Sequence, residues 1–301
     1  MSSTTVLRGQ PLADELLAAV QTDLERLRDR EVRPCLGTVL VSDDEAATGF
    51  MDRKHEACAA RDIPTERIDL SPEVPAARVY DAVDRLADDE DVTALFVQVP
   101  LPAHVDDAEV RERVPPGKDV DCFAPVNLGR LVAGDPWIVP PTTAAVLHLL
   151  DAYEVQTAGQ DVVIVGRTTA ICKPLANLLL RKGPEGDATV TVCHSATKDL
   201  GAKTRQADVL VTAAGQAGLV EDSMVSAGVS VVDVSVNRIP GDGGAGSDLV
   251  GDVDVDAVAP LADAITPVPG GVGPLTMAFI LRNVIDLTAR GAGIDLATGP
   301  N

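Results

Sequence analysis

Short apolar runs alternate with longer amphipathic stretches along most of the chain, the signature of α/β architecture. In the first half, LGTVLVS (36–42), residues 66–70 and ALFVQV (94–99) read as strands. Apolar residues recur at helical spacing over about 11–30, 45–61 and 75–89. AGDPWIVPPTT (133–143) breaks the pattern with three prolines and a glycine, which places a domain boundary there. Strands resume at DVVIVG (161–166), ATVTVC (188–193), DVLVT (208–212) and SVVDV (230–234). Their spacing of about 20 to 27 residues leaves room for one crossover helix between each pair, so a parallel, doubly wound sheet is expected. RIPGDGGAGSDL (238–249) reads as a Gly- and Asp-rich surface loop, and 274–290 as a helix with Pro274 near its start. That helix is expected to return to the first domain. The predicted organisation is residues 1–140 plus about 274–301 as one domain and 141–273 as the other.

Composition narrows the function classes. The 301 residues carry 46 acidic against 25 basic side chains, a net charge of −21, made up of 33 Asp and 13 Glu against 19 Arg and 6 Lys. Such a polyanion repels phosphate backbones and anionic bilayers, so neither a nucleic acid nor a membrane surface is expected as a partner. No run of 18 uncharged apolar residues suggests a membrane span, and MSSTTVLRGQ has no apolar signal core, so a cytoplasmic protein is expected. Dense carboxylates, few lysines and small core residues fit adaptation to high salt, and an ordinary acidic enzyme stays open beside that reading. Cys35, Cys58, Cys122, Cys172 and Cys193 form no CxxC and read as buried thiols. His55, His104, His148 and His194 show no ligand spacing, and no metal is expected.

In the second half, Gly166 ends an apolar strand and opens a helix from Ile171 to Lys182, where a pyrophosphate meets backbone N–H groups in dinucleotide folds. The glycine fingerprint is missing from GRTTAICKP, and a plain strand–turn–helix of a flavodoxin-like domain explains the pattern equally well. The second strand ends in Cys193, His194, Ser195 and Thr197, with no acid for a ribose diol, while Arg167 follows the first turn. A missing acid and a nearby guanidinium favour NADP over NAD; a surface Arg and a buried His are the bland alternative.

Three polar residues of the first half sit in apolar or tightly turned surroundings. Lys54 lies one helical turn after Phe50 and one before Cys58, although a lone lysine on such a face usually snorkels to solvent. Gln98 is at the carboxyl end of ALFVQV, the sheet edge where ligands bind in open α/β folds. Asp121, in KDVDCFAP, follows the turn made by Pro115, Pro116 and Gly117. ITPVPGGVGPLT (265–276) holds three prolines and three glycines, which suits a ligand-lining loop or a pure turn.

Together these segments closely resemble the bifunctional methylenetetrahydrofolate dehydrogenase/methenyltetrahydrofolate cyclohydrolase family, nearly end to end. The resemblance is carried by Lys54 and its helix, VQVPLP (97–102), KDVDCFAPVNLGRL (118–131), VVIVGRTTAICKP (162–174), VCHSAT (192–197), GDVD (251–254) and TPVPGGVGPLT (266–276). It implies two α/β domains per subunit, a folate-binding catalytic domain and a Rossmann-like NADP-binding domain, with homodimers. The reaction it implies removes a hydride from the methylene bridge of the folate, then opens the methenyl cation with water to formyltetrahydrofolate. Carried over by position, Lys54 handles the proton of the hydrolytic step, Gln98 orients it and Asp121 pairs with the pterin edge. Phe50, Pro100, Pro269, Gly270 and Gly271 complete the implied substrate site. The implied cofactor residues are Thr142, Gly166, Arg167, Thr168, His194, Ser195, Thr197, Ala214, Gly215, Val236, Gly273 and Thr276.

The sequence departs from the family pattern at Phe50, where a tyrosine is usual, at Cys122 and Cys172 for glycines, at Ala124 for a histidine, and at Pro141-Thr142-Thr143 for Cys-Thr-Pro. Phe50 keeps a ring to stack on the pterin but has no hydroxyl to relay a proton, so hydride transfer is expected to survive better than hydrolysis. The alternatives are a dehydrogenase alone, a non-catalytic folate- or nucleotide-binding paralogue, and an enzyme acting on another reduced pterin carrier.

Overall fold

The structure, a computed structural model, describes residues 4–183, 185–240 and 247–296. In chain order the first elements are β1 (Thr5–Val6), α1 (Gly9–Arg28), β2 (Leu36–Val41), α2 (Glu45–Ala59), β3 (Thr65–Leu70), α3 (Ala76–Asp88) and β4 (Ala94–Val97). There follow α4 (Asp107–Arg113), α5 (Pro125–Ala133), α6 (Pro141–Ala152), β5 (Asp161–Val165), α7 (Cys172–Leu179), β6 (Thr189–Cys193) and α8 (Leu200–Thr204). The last are β7 (Val209–Thr212), β8 (Ser230–Asp233), β9 (Asn237–Pro240), β10 (Ser247–Val250), α9 (Val255–Val258), β11 (Ala264–Ile265) and α10 (Val272–Gly291). These divide into two compact units: Glu15–Pro141 with the chain from Met277 onward, and the chain up to Asp14 with Thr142–Thr276.

The first unit holds a three-stranded parallel sheet in the order β3-β2-β4. Leu36–Val41 is buried along its whole length, the burial pattern of a central parallel strand. The α3 helix lays Val79, Val83 and Leu86 against Val39, Val41, Leu95 and Val97, each such side chain contributing about 1.5–3 kcal/mol by burial. In the same unit, α10 buries Phe279, Leu281, Val284 and Ile285. Contrary to expectation, α10 is long and apolar enough to meet the length and composition test for a membrane span. Its residues are mostly buried within the protein, and its one buried cation, Arg282, donates to Asp23 of α1 at 2.6 Å and also pairs with Asp286. A buried core helix satisfies the same test because both environments reward an apolar surface.

The other unit is a six-stranded, all-parallel sheet in the order β1-β11-β8-β7-β5-β6. The chain leaves β5 for β6 on one side and then crosses to β7 on the other, which creates a reversal of strand order beside β5. The crossovers are shorter than expected: α8 has 5 residues, and between β7 and β8 there is only a 3-10 turn at Asp222–Met224. β1 belongs here, because Thr5–Val6 pairs with Ala264–Ile265. The first unit therefore lacks the residues up to Asp14, which the hydrophobic pattern had assigned to it; two-residue edge strands give no periodic signal. The expected loop at 238–249 is also corrected at its ends, since β9 and β10 form an antiparallel pair. Its middle, 241–246, lies outside the described residues.

Candidate active site

The site in the first unit begins with the roll of α2. Asp44 caps the helix by accepting from the Ala47 N–H at 2.8 Å. His55 links its imidazole to Thr38 Oγ1 of β2 at 2.9 Å and Thr65 Oγ1 of β3 at 2.8 Å, fixing the helix on the sheet. The inward positions are then Met51, Lys54 and Cys58, and Lys54 is fully buried rather than snorkelling. Alternation along β4 does the complementary work. Leu95 and Val97 enter the apolar core, so Phe96 and Gln98 share the opposite side. The Gln98 N–H donates to Val39 O at 2.9 Å and its Nε2 to Val99 O at 2.7 Å, which leaves Oε1 to accept from Lys54 Nζ at 3.2 Å. The same ammonium nitrogen lies over two rings, 3.5 Å from the centroid of Phe50 and 3.9 Å from that of Phe96.

Asp121 is brought to the lysine by a strand-like extension of the sheet: Leu95 N–H donates to Lys118 O at 2.5 Å and Val120 N–H to Leu95 O at 3.2 Å. Asp119 and Asp121 do different work. Asp119 is buried and accepts from the N–H groups of Phe123 and Ala124, both at 2.8 Å, and from Asn127 Nδ2 at 2.9 Å, so it shapes the loop leading into α5. Cys122 stands in the left-handed region at φ 54°, where a glycine is unstrained. Burial pushes the Lys54 ammonium well below the ordinary lysine range, opposed by Asp121 and reinforced by Arg53. Burial likewise raises the Asp121 carboxyl, with Lys54 opposing. Each group therefore has its neutral form brought toward physiological pH, as a proton-transfer site requires. The structure brings together Lys54, Gln98, Asp121 and Phe50, which the sequence had singled out, and adds Phe96, Asp119 and Asn127, which it had not. The signal for Asp119 was its two-residue spacing from Asp121; nothing in the sequence marked Phe96 as other than a core residue.

In the other unit, the carboxyl ends of β5, β6 and β7 carry eight of the expected cofactor residues: Gly166, Arg167 and Thr168, then His194, Ser195 and Thr197, then Ala214 and Gly215; Thr142, Val236, Gly273 and Thr276 lie elsewhere. Gly166 has φ 142°, and a Cβ there would stand 2.6 Å from both Ala213 O and Cys172 Sγ, so only glycine fits the turn. Thr168 Oγ1 accepts from the Cys172 N–H at 3.4 Å and opens α7. Arg167 is exposed and its Nη2 donates to Ser195 Oγ at 3.4 Å. His194 and Thr197 close a small turn beside them, the His194 N–H donating to Thr197 Oγ1 at 2.8 Å. A guanidinium after β5, with an imidazole and two hydroxyls after β6 and no acid among them, fits a ribose phosphate rather than a ribose diol. Thr142 and Thr276 meet through their hydroxyls at 3.5 Å, with Gly273 in the first turn of α10, and Val236 is exposed.

Sequence reasoning missed the residue that organises this edge. The Asp252 carboxylate is fully buried and accepts from the N–H groups of Ala214 at 2.6 Å, Gly215 at 3.2 Å and Gln216 at 2.7 Å. It also accepts from Ser235 Oγ at 2.7 Å and Asn237 Nδ2 at 3.1 Å, so one side chain ties the loop after β7 to the loop after β8. Nearby Asp233 accepts from Val253 N–H at 2.8 Å, and burial raises its carboxyl to about 6. GDVD (251–254) contained the signal without showing its use. The loop at Pro269, Gly270 and Gly271 has a packing duty as well: Gly9 N–H donates to Gly270 O at 3.0 Å, and a Cβ on Gly271 would stand 2.8 Å from Pro267 O.

A parallel sheet with ligand-fitting loops at its reversal of strand order, and a second unit holding a buried lysine beside a carboxylate, define a two-unit α/β enzyme with a dinucleotide-type domain. Residues 7–121 match the family model for the tetrahydrofolate dehydrogenase/cyclohydrolase catalytic domain, and residues 140–292 match its NAD(P)-binding domain. The chain is 45% identical to the bifunctional protein FolD of Natronomonas pharaonis over 98% of this chain and 99% of that one. It is 43% identical to the protein of the same name from Haloquadratum walsbyi, over 96% and 92% respectively. Among solved structures it is similar to the Trypanosoma brucei methylenetetrahydrofolate dehydrogenase-cyclohydrolase complexed with NADP cofactor and inhibitor, with a TM-score of 0.90, 34% identity and coverage of 97% and 99%. The chain belongs to the tetrahydrofolate dehydrogenase/cyclohydrolase family.

Proposed function

We propose that the protein oxidises methylenetetrahydrofolate to methenyltetrahydrofolate with NADP and opens the methenyl product to formyltetrahydrofolate. The observation that carries this reading is the fully buried Lys54, bonded to Gln98 at 3.2 Å and set beside Asp121. NADP, when bound, supplies the hydride acceptor. The Gly166 turn and the Ala214–Gly215 loop would hold its diphosphate side, and Arg167, His194, Ser195 and Thr197 its ribose phosphate. Thr142, Thr168, Val236, Gly273 and Thr276 would complete that site.

In the hydrolytic step, neutral Lys54 accepts a proton from the water whose oxygen bonds to the bridge carbon. The C–N bond then breaks, the Lys54 ammonium returns its proton to the released nitrogen, and the hydroxyl proton leaves to solvent as the formyl carbonyl forms. Gln98 Oε1 keeps the amine aimed, and Asp121 is suited to the guanidine-like edge of the pterin through paired hydrogen bonds. Phe50, Pro100, Pro269, Gly270 and Gly271 are the further candidates for substrate contact. Assembly as a homodimer, a cytoplasmic location, and the lack of nucleic-acid or membrane partners belong to the same proposal and rest on family resemblance and the net charge of −21. Relatives from halophilic archaea and the acidic composition together support work in concentrated salt.

The test is an assay of purified protein in high salt with methylenetetrahydrofolate and NADP, following methenyl absorbance and formyl product together. NADPH and formyl product rising together are expected. Methenyl accumulating with no enzymatic opening would leave a dehydrogenase alone, the second reading, which the missing hydroxyl at Phe50 favours.

A further inference from the structure

The Lys54 ammonium has an unusual set of neighbours for a buried cation. It makes one hydrogen bond, to a neutral amide, and its nitrogen lies 3.5 Å and 3.9 Å from the ring centroids of Phe50 and Phe96. Phe50 comes from the same helix one turn earlier. Phe96 comes from β4, is 4% exposed, and shares its side of the strand with Gln98. Only 2% of the chain is aromatic, with four phenylalanines in all, so two ring faces on one amine is a concentrated use of a scarce residue. An aromatic face carries negative potential and attracts a cation, most strongly where water is absent.

We propose that Phe96 is a positioning residue for hydrolysis: with Phe50 it forms an aromatic cage that holds the protonated Lys54 amine and takes over the support a phenolic hydroxyl is not there to give. The inference rests on the hydrolytic role of Lys54 proposed above. The charged groups facing the amine are few. From α2 come Arg53, which disfavours the cation, and His55, itself held neutral-leaning by burial. From the segment after the sheet extension comes Asp121, which favours the cation, with Asp119 and Cys122 in the same segment. β4 contributes no charge, only Phe96 and Gln98. Against burial, the cation is therefore upheld by one carboxylate, the Gln98 amide oxygen and two ring faces, and weakening one face shifts the balance toward the neutral amine.

The experiment replaces Phe96 with phenylalanines bearing one to three ring fluorines, which drain the face while keeping the shape, and adds Phe96→Tyr and Phe96→Leu. Two readouts are followed against pH: the opening rate of methenyltetrahydrofolate without NADP, and the 13C resonance of the labelled Lys54 side chain, identified by its loss in Lys54→Met. The opening rate should rise with pH as Lys54 becomes neutral. Successive fluorination should move that rise, and the Lys54 titration, stepwise to lower pH, by about one unit in total. Phe96→Leu should move both by a similar amount, while Phe96→Tyr leaves them in place. A Lys54 resonance that titrates at the same pH in every ring variant overturns the cage. The role of Lys54 fails separately, if Lys54→Met keeps its opening rate, and the resonance still decides the cage in that case. Should Phe96→Leu not fold, the fluorinated series carries the test.

Discussion

Two carboxylate-bearing regions of the molecule are built on opposite plans. Around Asp252, five donors, from the loop after β7, from Ser235 after β8 and from Asn237 at the start of β9, converge on one fully buried carboxylate. Both carboxylate oxygens are engaged, and the work of the group is to hold a backbone shape. Around Lys54 and Asp121 the charges are under-satisfied: the amine has one amide oxygen, two ring faces and a carboxylate nearby. Burial pushes both groups toward their neutral forms. The difference is one of purpose. A saturated carboxylate is rigid and inert, whereas a proton-handling pair has to remain close to losing or gaining its proton.

The sharpest way to break the comparison is Lys54→Met. Opening of methenyltetrahydrofolate is expected to fall about 100- to 10,000-fold, the range for a general acid–base residue, while hydride transfer stays within about tenfold. Equal losses in the two assays would place Lys54 outside the hydrolytic step. The same variant reports on stability. With its folded pKa lowered, Lys54 binds fewer protons in the folded state than in the unfolded chain, so it costs stability at neutral pH and the cost eases as pH rises toward the ordinary lysine value. Thermal melting of Lys54→Met at neutral pH should therefore be unchanged or higher than that of the parent.

Asp252→Asn addresses the other plan. Losing a charged acceptor shared by five donors should weaken NADP binding about 10- to 100-fold in a fluorescence titration, because the Ala214–Gly215 loop loses its tether. Methenyl opening needs no cofactor and should stay within about twofold; a matching loss there would mean a general failure of folding. Arg167→Ala should cost NADP about tenfold or more in affinity and leave NAD almost untouched. Equal effects on the two nucleotides would show that Arg167 does not read the ribose phosphate. The smallest change expected is for Phe50→Tyr, which restores a hydroxyl beside Lys54 and should preserve the opening rate or raise it by about two- to threefold. A marked loss would show a site rebuilt around the unsubstituted ring.

The chain's own periodicity determined most of the architecture. The strands at Leu36–Val41, Ala94–Val97, Asp161–Val165 and Val209–Thr212 stand out because buried parallel strands are continuous apolar runs, and α3 because its apolar residues fall on one face. Gly166, Lys54, Gln98 and Asp121 were legible as residue types placed at strand ends, helix faces and turns. Only the tertiary structure decided what they meet. Two-residue pairing joins Thr5–Val6 to β11 across most of the chain's length, a contact too short to leave a pattern. Lys54 became a fully buried amine instead of a solvent-seeking one because His55 pins α2 to β2 and β3. Phe96 read as an ordinary core residue until alternation along β4 set it beside Gln98 and over the amine. Asp252 was one acid among 46 until two distant segments, 214–216 and 235–237, folded onto it. Local pattern encodes which side of an element is apolar; which charges lose their water, and which donors or rings replace it, is fixed only when distant segments pack together.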